Sequence, residues 1–155
     1  MTSLIGALAR GAAAGAAGTT ALNAATYLDM ALRGRPSSST PEDTVTTLAE
    51  KVGVDIPGEG ETRQNRVQGL GPLMGIATGV GVGALAGAVV KVRPLPVPIL
   101  SLLVGGGAML GTNLPMTGLG ITDPRSWSAS SWISDAVPHA AYGAVTAALL
   151  RALVR

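Results

Sequence analysis

The chain of 155 residues has no cysteine, no phenylalanine and a single histidine. Without cysteine, disulfides, thiolate metal sites and cysteine nucleophiles are excluded together. With no phenylalanine and only 3% aromatic residues, the rings that usually fill a core are missing, so elements must meet through close backbone approach. Charge is also scarce. A chain 47% hydrophobic and 13% charged is too apolar for an ordinary soluble domain, and a membrane protein is expected. The net charge of +2 forms no basic stripe, which argues against a nucleic-acid partner. Ser/His/Asp spacing, a Walker loop and a dinucleotide fingerprint are all lacking, and one histidine falls short of the three or four ligands a metal site needs. The expectation is a non-enzymatic protein without catalytic residues, metal or cofactor.

What the chain has in abundance is glycine, 22 residues in all. Gly71, Gly75, Gly79, Gly83 and Gly87 recur every fourth residue in an uncharged run. Residues four apart share one face of a helix, so these five form a groove for a second backbone. In water each would cost about 0.8 to 1 kcal/mol against alanine, whereas in lipid small-xxx-small faces mark close helix contacts. Gly11, Gly15 and Gly18 form a similar face, and packing of the first helix against the second is the leading expectation. Gly107 and Gly111 extend the pattern to the third.

Hydropathy and length predict an all-α integral membrane bundle of four transmembrane helices packed through Gly/Ala faces, in one domain. The expected spans are about 10–30, 70–91, 97–115 and 136–154, joined by a polar loop at 33–66 and an interfacial loop at 116–135. The first span is rich in Ala and Gly and lacks the compact Leu-rich stretch of a signal peptide. In the polar loop, Thr40 is expected to cap a short helix with Pro41 at its first position and Glu42 and Asp43 in its first turn. Val45, Leu48, Ala49 and Val52 fall on one face of it, and Gly53 supplies a stop. The second helix is expected to extend outside the lipid, placing Arg63 and Arg66 for contact with anionic lipid headgroups. The Gly105-Gly106-Gly107 run suggests a bend in the third span, which Pro115 ends. In the interfacial loop Trp127 and Trp132 serve as anchors, and Asp123 caps a turn starting at Pro124. The last span opens at Asp135 with Pro138 in its first turn.

The polar residues in or near the spans are Asn23, Asp29, Asn113, Asp135, His139 and Tyr142. Asp135 and His139 stand four apart, a spacing that can orient an imidazole. The more ordinary reading is capping by Asp135, with His139 and Tyr142 bonding to a neighbouring helix. Four spans put both termini on one side. Lys/Arg bias between the loops is nearly balanced and leans to cytoplasmic termini.

Three segments carry a resemblance: the run 11–23 (GAAAGAAGTTALN), Thr40-Pro-Glu-Asp43, and Asp135-Ala-Val-Pro-His-Ala-Ala-Tyr-Gly143. With these the chain resembles small four-span membrane proteins of high-GC actinobacteria, and the last is similar to the Pro-His-x-x-Tyr-Gly signature of YagU-like inner-membrane proteins. The resemblance implies a fold and a plasma (inner) membrane location, and no activity. The expected role is an accessory or scaffold subunit of a larger envelope complex, with the bilayer and a membrane-protein partner or further copies of the chain as its contacts. The alternative is a small transporter or channel with a path near Asn113, His139 and Asp29.

Overall fold

Ser3 starts the first helix by accepting the Gly6 N–H on its hydroxyl at 3.0 Å. From there the computed structural model, which describes residues 3–154, is all-α. The helices are α1 (Leu4–Arg33), α2 (Thr40–Val52), α3 (Gly60–Val92), α4 (Val97–Gly118) and α5 (Ala129–Val154), with a 3-10 turn at Pro124–Ser126. Three of them, α3, α4 and α5, are long and apolar enough to cross a membrane. α1 has the length but not the hydropathy, because alanine, glycine and threonine carry most of it.

Its place in the bundle explains that composition. α1 runs between α3 and α5 and packs on both, α4 packs on the far side of α5, and α3 and α4 meet only slightly. A helix flanked by two others has less need of bulky apolar side chains and more need of a thin profile. Gly11 faces Gly87, Gly15 faces Gly83, and Thr19 faces Gly79, so α1 and α3 are antiparallel in a single register. A methyl group at Gly83 would lie 2.5 Å from Gly15 Cα, and one at Gly11 would lie 2.9 Å from Gly87 Cα. A second seam joins α4 to α5: a methyl group at Gly105 would lie 2.6 Å from the His139 carbonyl oxygen, and one at Gly143 would lie 2.9 Å from Gly105 Cα. The buried cluster formed by Ala14, Ala86, Val90, Leu100, Val104, Ala108, Tyr142, Ala147 and Leu150 draws on α1, α3, α4 and α5.

Not every glycine in the expected rows takes part. Gly75, Gly107 and Gly111 have open space where a methyl group would go, because α1 and α3 part beyond Gly79 and because α4 turns only one face to α5. Gly18 meets Tyr142 of α5 instead of α3, and Gly71 meets Pro41 and Glu42 of α2.

Helix ends also differ from the expected ones. α3 does begin well outside its span, at Gly60, as expected, and continues through Pro72. α4 is helical through the triple glycine and past Pro115 to Gly118, so Pro115 does not stop it. α5 begins six residues before Asp135, capped by Ser128, whose hydroxyl accepts the Ser131 N–H at 3.1 Å. Asp135 is therefore an interior residue and not a cap, and Pro138 is buried inside the helix. A proline there frees the carbonyl four residues back, a loss that membrane helices tolerate where neighbours or water satisfy it. Thr40 is the first residue of α2 and not its cap, while Gly53 ends that helix in the left-handed conformation at φ 69°. Leu48 and Val52 of the expected apolar face remain exposed, since α2 rests on α3 near Gly71 through its first turn.

In the connection to α5, Asp123 Oδ1 accepts the Arg125 N–H at 3.0 Å and pairs with its guanidinium at 2.9 Å. The guanidinium holds the Asp123 carboxyl below its ordinary value. Trp127 and Trp132 pack edge to face at 5.1 Å, and Trp127 Nε1 donates to Thr122 Oγ1 at 2.9 Å.

Candidate functional site

The polar side chains of the helices gather toward the end where α1 finishes and α5 begins. Two networks form there. In the first, Asp29 closes the last turns of α1 by pairing with Arg33 Nε at 2.6 Å and with Arg35 Nε at 2.5 Å. Ser134 Oγ donates to Asp29 Oδ2 at 3.2 Å, and Arg33 donates to the hydroxyls of Ser130 and Ser134, which ties the end of α1 to α5. Arginine suits this position because its planar fork serves a carboxylate and two hydroxyls at once.

The second network joins α4 to α5. Asn113 Nδ2 donates to Asp135 Oδ2 at 2.7 Å. His139 Nδ1 lies 2.8 Å from the Asp135 carbonyl oxygen and 3.2 Å from its Oδ1, an arrangement that puts the proton on Nδ1. The helical spacing of Asp135 and His139 sets one half of this cluster. The antiparallel seam at Gly105 and Gly143 sets the other by bringing Asn113 level with Asp135. The pairing with Asn113 has no local signal in the sequence, since 22 positions separate it from Asp135.

Tyr142 sits where α1, α3 and α5 meet. It is 1% exposed, and its hydroxyl donates to the Gly79 carbonyl oxygen at 2.6 Å. A glycine at 18 makes room for the ring, as a methyl group there would lie 2.9 Å from Cδ2, while the glycine at 79 makes room for Thr19. Tyr142→Phe removes one buried hydrogen bond while keeping the ring, so a loss of about 1 kcal/mol is expected in thermal unfolding in detergent. A variant as stable as the parent would mean that the hydroxyl contributes nothing net.

The remaining expected residues lie apart from these networks. Asn23 is half-buried on α1, in the register position opposite Gly75. Asp29 does not join Asn113 and His139; its partners are Arg33, Arg35 and Ser134. Arg66 donates to the Pro57 carbonyl oxygen, and Arg63 lines an open concavity of about 710 Å³ together with Glu50, Asp55 and Glu59. Among the described residues no group of three or more His, Cys, Asp or Glu is placed to hold a metal ion. Chemically these networks can link helices and hold a proton at the His139 ring.

Three apolar helices of membrane-spanning length, joined into one all-α fold, point to a helical membrane protein. No family model, curated protein or solved structure matches this chain.

Proposed function

We propose that the chain is a four-span accessory or scaffold subunit of a larger membrane complex in the plasma membrane, with α1 as the fourth span and glycine faces as its packing seams. The supporting observation is the outer face of α4. That helix packs on α5 and touches α3 only slightly, leaving Gly106, Gly107 and Gly111 with nothing within 4 Å and Leu102, Leu103, Leu110 and Leu114 exposed. An uncovered glycine costs helix propensity and returns no packing, about 0.8 to 1 kcal/mol each by soluble-helix measures. A second helix seated on this face would recover that loss through close contact.

The experiment is purification from native membranes in mild detergent. The parent is expected to elute with another membrane protein or as an oligomer. The double variant Gly107→Leu/Gly111→Leu is expected to fold with thermal stability at or above the parent's and to lose that company. A parent that elutes as a lone monomer overturns the reading.

The meeting of Asn113, Asp135 and His139 favours a second reading, a small transporter or channel. Ion or proton flux into liposomes that is unchanged by Asp135→Asn and His139→Ala would remove it.

A further inference from the structure

The antiparallel register gives the bundle two unlike ends. Ser3, Val92, Val97 and Val154 mark one end, and α1 finishes and α3 begins at the other. All nine Asp and Glu side chains belong to the second end, from Asp29 through the 34–61 segment to Asp123 and Asp135. Among the described residues the first end carries Arg10, Lys91, Arg93 and Arg151 and no acidic side chain. Lys91 and Arg93 are exposed just where α3 ends. Arg10 is the seventh residue of α1, about 10 Å inside its start, and Arg151 stands in the last turn of α5. Both are half-buried. Long cationic side chains at such depths extend toward the headgroups.

We infer that this end of the bundle binds anionic phospholipid headgroups, with Arg10, Lys91, Arg93 and Arg151 as the receiving groups, and that it therefore faces the cytoplasm. Charge complementarity carries the inference. Four cations with no acidic side chain among the described residues near them repel one another, and a phosphodiester oxygen offers a guanidinium the charge-assisted, bidentate partner that those side chains do not. Arg63 and Arg66 are the weaker candidates, because one bonds to a backbone carbonyl and the other stands among acids. Each cation near an anionic leaflet raises affinity roughly fivefold, and the negative surface potential is that of the cytoplasmic leaflet.

The full chain, purified in mild detergent, is mixed with equal phosphatidylglycerol and phosphatidylcholine, and retained lipid is read by native mass spectrometry. The parent is expected to retain phosphatidylglycerol selectively. Lys91→Gln/Arg93→Gln, which touches only exposed residues and so leaves packing intact, should reduce that preference. The four-fold glutamine variant should abolish it, and Arg63→Gln/Arg66→Gln should leave it unchanged. Equal retention of both lipids by the parent, or a preference lost only in the Arg63/Arg66 variant, overturns the inference. Because the chain has no cysteine, Val92→Cys and Ser37→Cys report orientation with a membrane-impermeant maleimide in intact cells. Ser37→Cys is expected to label and Val92→Cys to stay protected; the reverse pattern overturns the cytoplasmic placement.

Discussion

Leucine at position 83 is expected to part α3 from α1 and to abolish the assembled bundle. The nearest atoms to a side chain there are the Gly11 carbonyl oxygen and Gly15 Cα, each 2.5 Å from its first carbon. Both are backbone, so no rotamer change relieves the clash and the helices themselves must separate. Overpacking in a core typically costs 1 to 3 kcal/mol, and forcing two backbones apart along the Gly11, Gly15, Gly83 and Gly87 seam should exceed about 3 kcal/mol. Thermal unfolding in detergent and size-exclusion profiles measure the loss. Gly75→Ala is the matched control in the same row. Its methyl group meets nothing within 4 Å, so the fold should be retained and stability should rise by about 0.5 to 1 kcal/mol through helix propensity. Wild-type stability in Gly83→Leu would show that α1 and α3 do not meet along this seam.

Gly143→Leu should have a comparably large effect, confined to a different part of the molecule. Its first carbon would lie 2.8 Å from Gly105 N and 2.9 Å from Gly105 Cα, again backbone. α5 is the main attachment of α4, so opening this seam also separates Asn113 from Asp135 and leaves polar groups of both without partners. A loss above about 3 kcal/mol is expected. Amide hydrogen exchange distinguishes it from the first variant: protection should fall along α4 and persist along the α1 and α3 seam. Equal loss of protection in all helices would show that the two seams open as one unit.

The two variants also separate what was legible from what was not. Four-residue spacing made Gly83 a packing residue on sight, but the same spacing named Gly75, Gly107 and Gly111, which meet nothing. Periodicity identifies a thin face and is silent on whether a neighbour reaches it; that depends on where two helices diverge. Gly143 and Gly105 illustrate the converse. Each lies on a small-residue face legible in its own helix, but that the two meet is not, because each partner lies on a helix whose register is fixed only by assembly. Helix ends were misplaced for a related reason. Pro115 and Pro138 read as boundaries, yet α4 and α5 continue through them, while Ser128 gave the usable cap signal for α5. The polar residues were found individually. Their sorting into an Asp29 network and an Asp135 network needed the antiparallel packing of α1 and α4 on α5.

Composition alone determined the helical class, the reliance on backbone contact in place of aromatic packing, and the absence of thiol chemistry, since each follows from which residues are present at all. Tertiary structure decided that the least apolar long helix occupies the middle of the bundle. It also decided which glycines carry the seams, and that every Asp and Glu side chain lies at the end opposite Arg10, Lys91, Arg93 and Arg151. The physical reason is that residue type and spacing fix what one helix can offer along its own faces, whereas the order and register of helices fix which of those faces are met.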